Sequence, residues 1–234
     1  MRLGYTELDI ISKCQDALLN INTFYQAKFI NYRGKTNDTK KDYSEVIVDF
    51  ILDNINLFRN NISVISREKT YNSRHDGSYR EGTGRDEEVI AIKMFNQSQK
   101  EGYVFDTIGK VIEYETPLKN RKDDVAGKID LLAYNGEVLR ILELKKPSSD
   151  ETMLRCILEG YTYLKTVDQE KLLKSFDLPL DTIIKASPLV FYQGEQWKEW
   201  QQRNPKLLRL MEELESEPFF VIEENGKYMV LKEG

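Results

Sequence analysis

Gly127–Lys146 reads GKIDLLAYNGEVLRILELKK, and the fold turns on how its two halves meet. The apolar runs IDLLAY and EVLRILEL flank Asn135-Gly136, which marks a β-hairpin with a two-residue type I′ turn. That turn sets Tyr134 against Glu137 and Asp130 against Ile141, with Glu143 the diagonal neighbour of Asp130. Side chains alternate along a strand, so Asp130, Ile141, Glu143 and Lys145 point to one side. Leu132 and Leu139 share their face, while Ile129, Leu131, Leu142 and Leu144 line the other. Strands apolar on both faces are central and covered. Three charged side chains therefore stand where packing is expected.

Two neighbouring anions in such a place cost several kcal/mol unless something compensates them. A hard dication with oxygen ligands, Mg²⁺ or Mn²⁺, would do so together with the Lys145 ammonium. The alternative is an internal ion cluster, or strand ends that are wet.

Upstream, RDEEVIAIKMFNQSQKEG has helical spacing and a Gly102 stop, giving a helix from about Arg85 to Lys100. Glu88 shares a face with Ala91, Ile92 and Phe95, which makes it a candidate fourth group. Glu87 shares its face with Ile90, Ala91 and Met94 and is its rival. First-turn acids also complement the helix dipole. KVIEYETPL alternates as a strand. Downstream, Ser148 to Glu151 reads as a capping box that opens a helix through LRCILEGYTYLKTV. PLVFYQ is a strand, and NPKLLRLMEELESE is a helix with Pro205 in its first turn. PFFVIEENGKYMVLKE is a second hairpin, at Asn225-Gly226.

The N-terminal quarter reads as two helices, Tyr5 to about Phe29 and a second capped by Ser44 that runs to Phe58, joined by a polar loop. The organisation is 1–84, a helical hairpin and basic Gly-containing segment, then 85–234, the sheet-bearing core with a C-terminal extension; one compact domain 1–234 is equally consistent. Arg67, Lys69, Arg74, Arg80 and Arg85 with His75, Tyr71 and Tyr79 form a basic, glycine-containing stretch. Lys119, Arg121, Lys122 and Lys128 form another beside the hairpin. Each suits either a phosphate backbone or a solvated surface. Trp197 and Trp200 suit packing, with a stacking or dimer surface as the alternative.

The chain has 234 residues, 40% apolar and 31% charged, with a net charge of −5. That charge argues against indiscriminate coating of DNA but leaves room for local basic grooves. One histidine and two distant cysteines exclude His- or Cys-rich metal sites. No apolar run reaches the ~18 residues of a membrane span. The start lacks the apolar core of a signal peptide, and a cytoplasmic protein is the expectation.

Asp130, then Glu143-Leu144-Lys145, then a helix, resembles the PD-(D/E)xK phosphodiesterase superfamily, which includes restriction endonucleases, archaeal Holliday-junction resolvases and recombination exonucleases. The resemblance implies an α/β restriction-endonuclease-like core, an αβββαβ mixed sheet flanked by helices. An N-terminal helical elaboration and a C-terminal helix plus β-hairpin would surround it. It implies a Mg²⁺- or Mn²⁺-dependent nuclease acting on nucleic acid, with DNA as the first expectation, in restriction, repair or a mobile element. Asp130, Glu143 and the Leu144 carbonyl would hold the metal, with Glu88 as the acid of the first core helix. Lys145 would orient or help deprotonate the attacking water. Arg74, His75, Arg80, Arg85, Lys119, Arg121, Lys122 and Lys128 would face nucleic acid, and a homodimer would suit double-strand cutting. The family's usual Pro before the first acid is replaced by Ile129. Glu159, Tyr161 and Tyr163 occupy a zone where many relatives carry a polar residue near a Tyr, and the tyrosines suit packing better than catalysis. An inactive nucleic-acid-binding or assembly module of the same fold is the alternative.

Overall fold

The computed structural model describes residues 4–80, 86–120 and 127–233. Helix α1 is Glu7–Leu18, opened by a reciprocal cap between Thr6 and Asp9. It does not run on to Phe29. Two 3-10 turns follow, Ile21–Gln26 and Lys28–Asn31, where the Asn22 side chain donates to Ser63 O and the Thr23 hydroxyl to Asn20 O, side-chain bonds to backbone that compete with a helix. Helix α2 is Tyr43–Asp53 and α3 is Ile55–Asn60. The N-cap of α2 is Asp42, two positions before the expected Ser44 and without a side-chain bond of its own.

The remaining elements are α4 (Asp86–Gln99), β1 (Lys110–Pro117), β2 (Lys128–Tyr134), β3 (Val138–Lys145), α5 (Met153–Thr166), α6 (Gln169–Ser175), β4 (Ile183–Phe191), α7 (Glu195–Gln201), α8 (Pro205–Glu213), β5 (Phe219–Glu224) and β6 (Lys227–Leu231). They build one six-stranded mixed sheet in the order β1-β2-β3-β4-β5-β6. The β3–β4 and β4–β5 pairs are parallel and the rest antiparallel. The expected order of helix, three strands, helix and strand is present as α4-β1-β2-β3-α5-β4, with α6 added before β4. Among the described residues, no helix is long and apolar enough to cross a membrane.

Two cores flank the sheet. On one side Leu132, Leu139, Ile141, Ala186 and Val190 pack with α5 and the N-terminal elements. On the other, Leu131, Leu142, Leu144 and Leu189 pack with Ile90, Met94 and Phe95 of α4. Ile129 departs from the expected alternation and joins the α5 side, beyond the point where β2 leaves β3 at Leu131 and stays paired with β1 alone. Helix α5 is buried nearly all round, which suits its apolar composition.

Three consecutive residues of α4 tie the two edge strands together. Gln97 accepts from Tyr228 N at 2.8 Å and donates to Tyr228 O at 3.1 Å on β6. Ser98 accepts from Val111 N at 3.0 Å and Gln99 donates to Val111 O at 2.7 Å on β1. Side chains thus satisfy edge groups that would otherwise invite another strand.

The two Asn-Gly turns differ. Asn225 and Gly226 both take positive φ, 54° and 76°, joining Glu224 to Lys227 as a type I′ turn does. At the first hairpin Gly136 is left-handed, φ 100°. Asn135 instead accepts with its own Oδ1 from Glu137 N at 3.1 Å and Val138 N at 2.8 Å. The chain therefore reverses over Asn135–Val138, and Tyr134 pairs with Leu139, not Glu137.

Candidate active site

The corrected register alters the site without moving it to another face. Pairing shifts by two residues, which preserves which side chains share a side. Carried one step past Leu131–Leu142, it sets Asp130 opposite Glu143 rather than Ile141. There the strands part, and Asp130 Oδ2 accepts from Leu144 N at 2.8 Å. The N–H and C=O of one residue in a strand point to the same edge, so the Leu144 carbonyl also faces Asp130.

Lys145 is buried, and its Nζ lies 2.7 Å from Glu143 Oε1, 2.8 Å from Glu151 Oε2 and 3.4 Å from Glu159 Oε2. Arg155 Nε stands 3.3 Å from Glu159 Oε2, and Tyr163 Oη donates to Glu159 Oε1 at 2.9 Å. Glu151, Arg155, Glu159 and Tyr163 recur every four residues, so the start of α5 and its first turns present them as one stripe. α5 comes close at Gly160, where an added Cβ would sit 3.6 Å from Glu143 Cβ. Glu151 and Arg155 were not singled out from sequence, although this four-residue recurrence signals them. The Ser148–Glu151 capping box does not form. Thr152 caps α5, accepting from Arg155 N at 3.2 Å, and its hydroxyl is pinned to Ile30 O at 3.0 Å. Glu151 is left to reach Lys145.

Burial raises the carboxyl of half-buried Asp130 to about 7, and Lys145 only partly offsets this. Burial, with Asp130 and Glu159 close by, pushes Glu143 well above the usual range. Burial also works against ionised Glu159, but Lys145 and Arg155 outweigh it and hold that carboxyl low. Burial opposes the Lys145 charge too, yet Glu143 and Glu159 keep the ammonium above its ordinary value. Glu143 Oε2 is buried without a hydrogen-bond partner. Four carboxyl groups, Asp130, Glu143, Glu151 and Glu159, are thus set against two cations, Lys145 and Arg155.

Of the two candidate acids on α4, Glu87 reaches the end of β3, accepting from Lys146 N at 3.0 Å. Glu88, the preferred candidate, is half-buried; burial, with Asp76, Glu113 and Glu88 nearby, disfavours ionisation of Tyr114. Arg74 and Arg80 are exposed. His75 is held by buried Glu113, Nδ1 to Oε1 at 2.8 Å, and stacks on Tyr114 at 4.3 Å. Lys128 pairs with Glu115 at 2.5 Å. Lys119 is half-buried, and its carbonyl accepts from Arg67. Arg85, Arg121 and Lys122 lie outside the described residues. Trp200 is buried against Phe220, and Trp197 donates to Glu233 at 3.2 Å.

Among the described residues, no three His, Cys, Asp or Glu side chains are grouped so as to hold a metal ion as they stand. The donor set nevertheless suits a hard dication. It has a partnerless buried carboxyl oxygen on Glu143, the Leu144 backbone beside Asp130, and more carboxyl groups than cations. Comparison with protein-family models, curated proteins and solved structures finds no match.

Proposed function

We propose that this chain is a Mg²⁺- or Mn²⁺-dependent phosphodiesterase that cuts nucleic acid, DNA in the first instance, on a restriction-endonuclease-like core of the PD-(D/E)xK type. One observation carries the reading: Asp130 and Glu143 converge beside Lys145, and the buried Glu143 Oε2 lacks a partner. Asp130, Glu143 and the Leu144 carbonyl would hold the cation, which when bound would supply Lewis-acid stabilisation of phosphate charge. Lys145 holds an ammonium where a water attacking the phosphorus could be oriented. Glu159, held ionised, and Tyr163 fix the direction in which that ammonium points. Glu87 steadies the turn after β3 through Lys146 N. Exposed Arg74 and Arg80, with Lys119 and Lys128, are the proposed backbone contacts.

A second reading, a nucleic-acid-binding module without turnover, draws on Lys145 being tied to three carboxylates at once. Incubation with plasmid and short duplexes in Mg²⁺, Mn²⁺ or EDTA separates the two. Metal-dependent cutting lost in Asp130→Asn and Lys145→Ala supports hydrolysis. Binding without cutting supports the module. Cutting that survives both substitutions or EDTA defeats the proposal.

A further inference from the structure

At the other end of β3, on the face opposite the acidic cluster, stands a second charged site. Arg140 keeps only 9% of its side chain exposed, and its Nη2 meets Glu217 Oε1 at 3.0 Å. Its Nε and Nη1 are buried with no partner. Its guanidinium also lies 4.8 Å from the centre of the Phe219 ring. The sheet register sets Arg140 beside Lys185 on β4, two like charges on one face, an arrangement that is unfavourable unless an anion lies between them. Lys232 reaches the same carboxylate, 2.5 Å from Glu217 Oε2. Arg140, Lys232 and Lys185 all help to keep Glu217 ionised although its burial works the other way. Lys185 also stands 3.9 Å from exposed Glu215.

The surroundings add further donors. Ser187, one pair beyond Lys185 on the same face of β4, has a buried hydroxyl with no partner, as does Ser216 next to Glu217. A guanidinium with unused N–H groups and two ammonium groups thus meet Glu217 and the exposed Glu215, with two partnerless hydroxyls on the flanking residues Ser187 and Ser216. Three cations against two carboxylates leave a local positive excess in a chain of net charge −5. Buried donors without acceptors are costly, and the group that best relieves them has several acceptor oxygens and two negative charges.

The geometry points to a phosphate site formed by Arg140, Lys185 and Lys232 with Ser216 alongside, in which the Glu217 carboxylate occupies the position that a phosphate dianion takes on binding. Arg140 precedes Lys145 by five residues, about 16 Å along an extended strand, so this site is separate from the acidic cluster and does not rest on the nuclease reading. Its ligand is a terminal phosphate, from inorganic phosphate, a nucleotide or the phosphorylated end of a nucleic-acid strand.

The test is thermal denaturation and calorimetric titration with inorganic phosphate at fixed ionic strength, against chloride as control. Phosphate should raise the melting temperature of the natural chain. Glu217→Gln removes the internal competitor, so it should melt lower without phosphate, recover with it, and bind about tenfold more tightly, the effect of one charge-assisted hydrogen bond. Lys232→Ala, at an exposed position, should weaken binding in a folded protein, and Arg140→Gln should abolish it. Adenosine monophosphate, and an oligonucleotide with a 5′-phosphate or a 5′-hydroxyl end, identify the source. Binding of inorganic phosphate equal to the others assigns the free ion, while a gain confined to the phosphorylated end assigns the strand terminus. If phosphate acts no differently from chloride on both the natural chain and Glu217→Gln, the site is refuted. Binding that Glu217→Gln leaves unchanged or weakens also refutes it.

Discussion

Asp130 substitutes its side chain for backbone where β2 and β3 part: Oδ2 takes the Leu144 N–H at 2.8 Å, in line with the last ladder pair, Leu131–Leu142. The carboxylate is therefore structural and, on the proposed function, catalytic. Asn retains an acceptor for the Leu144 N–H and loses the charge. Asp130→Asn should fold, should melt at a higher temperature than the natural chain in EDTA at neutral pH, and should lose cleavage by about a hundredfold or more. Paired melting curves and plasmid nicking check this. A variant that unfolds shows that the charge, not the acceptor, holds the strands together.

The raised carboxyl fixes a sign for pH dependence. A group with an ordinary value of 3.8 that folding lifts to about 7 adds stability below the lower figure and forfeits it as pH climbs through the upper one. Burial pushes Glu143 in the same direction. In EDTA, stability should fall between about pH 4 and pH 7, and Mg²⁺ should recover the loss at the alkaline end. Urea denaturation across that range, with and without Mg²⁺, measures both slopes. The slope should be shallower in Asp130→Asn.

Lys145 serves three carboxylates, so removing it leaves buried anions unpaired. Lys145→Ala should cost about 3–5 kcal/mol, as broken buried ion pairs do, along with activity. Tyr163→Phe removes one bond to Glu159 and keeps the ring packing. It should cost only about 1–2 kcal/mol, and under the proposed function it should lower kcat more than it alters KM. Chemical denaturation and steady-state rates separate the two residues. Equal loss of stability in both variants would mean that the cluster does not centre on the lysine.

Much of this site was legible in the sequence because alternation is robust. A two-residue slip in pairing, caused by Asn135 bonding its own turn, left Asp130, Glu143 and Lys145 on one face. The same dipeptide formed the expected turn at Asn225-Gly226, so the letters alone do not decide between side-chain capping and left-handed backbone. The stripe Glu151–Arg155–Glu159–Tyr163 was present in the spacing, but reading Glu151 as a cap hid it. Thr152 caps the helix because Ile30, distant in sequence, accepts its hydroxyl. The choice of Glu87 over Glu88 for the end of β3 depends on where Lys146 N points, which helix periodicity does not encode.

The bridge from α4 to the two edge strands was equally invisible in the pattern, since Gln97, Ser98 and Gln99 read as an ordinary polar helix end. Gln97 is buried and meets both backbone groups of Tyr228. Gln97→Ala should leave that N–H and C=O unsatisfied at a cost of about 1–3 kcal/mol. For a domain of this size that is a drop of about 2–4 °C in Tm per kcal/mol. Gln97→Glu retains an acceptor for Tyr228 N but sets a carboxylate against Tyr228 O, so it should be worse than alanine. An exposed β6 edge also invites pairing between copies, so Gln97→Ala should show more concentration-dependent association by light scattering than the natural chain. Hydrogen exchange at Tyr228 N measures the bond directly: its protection should fall in Gln97→Ala while that of Val221, paired inside the sheet, is retained.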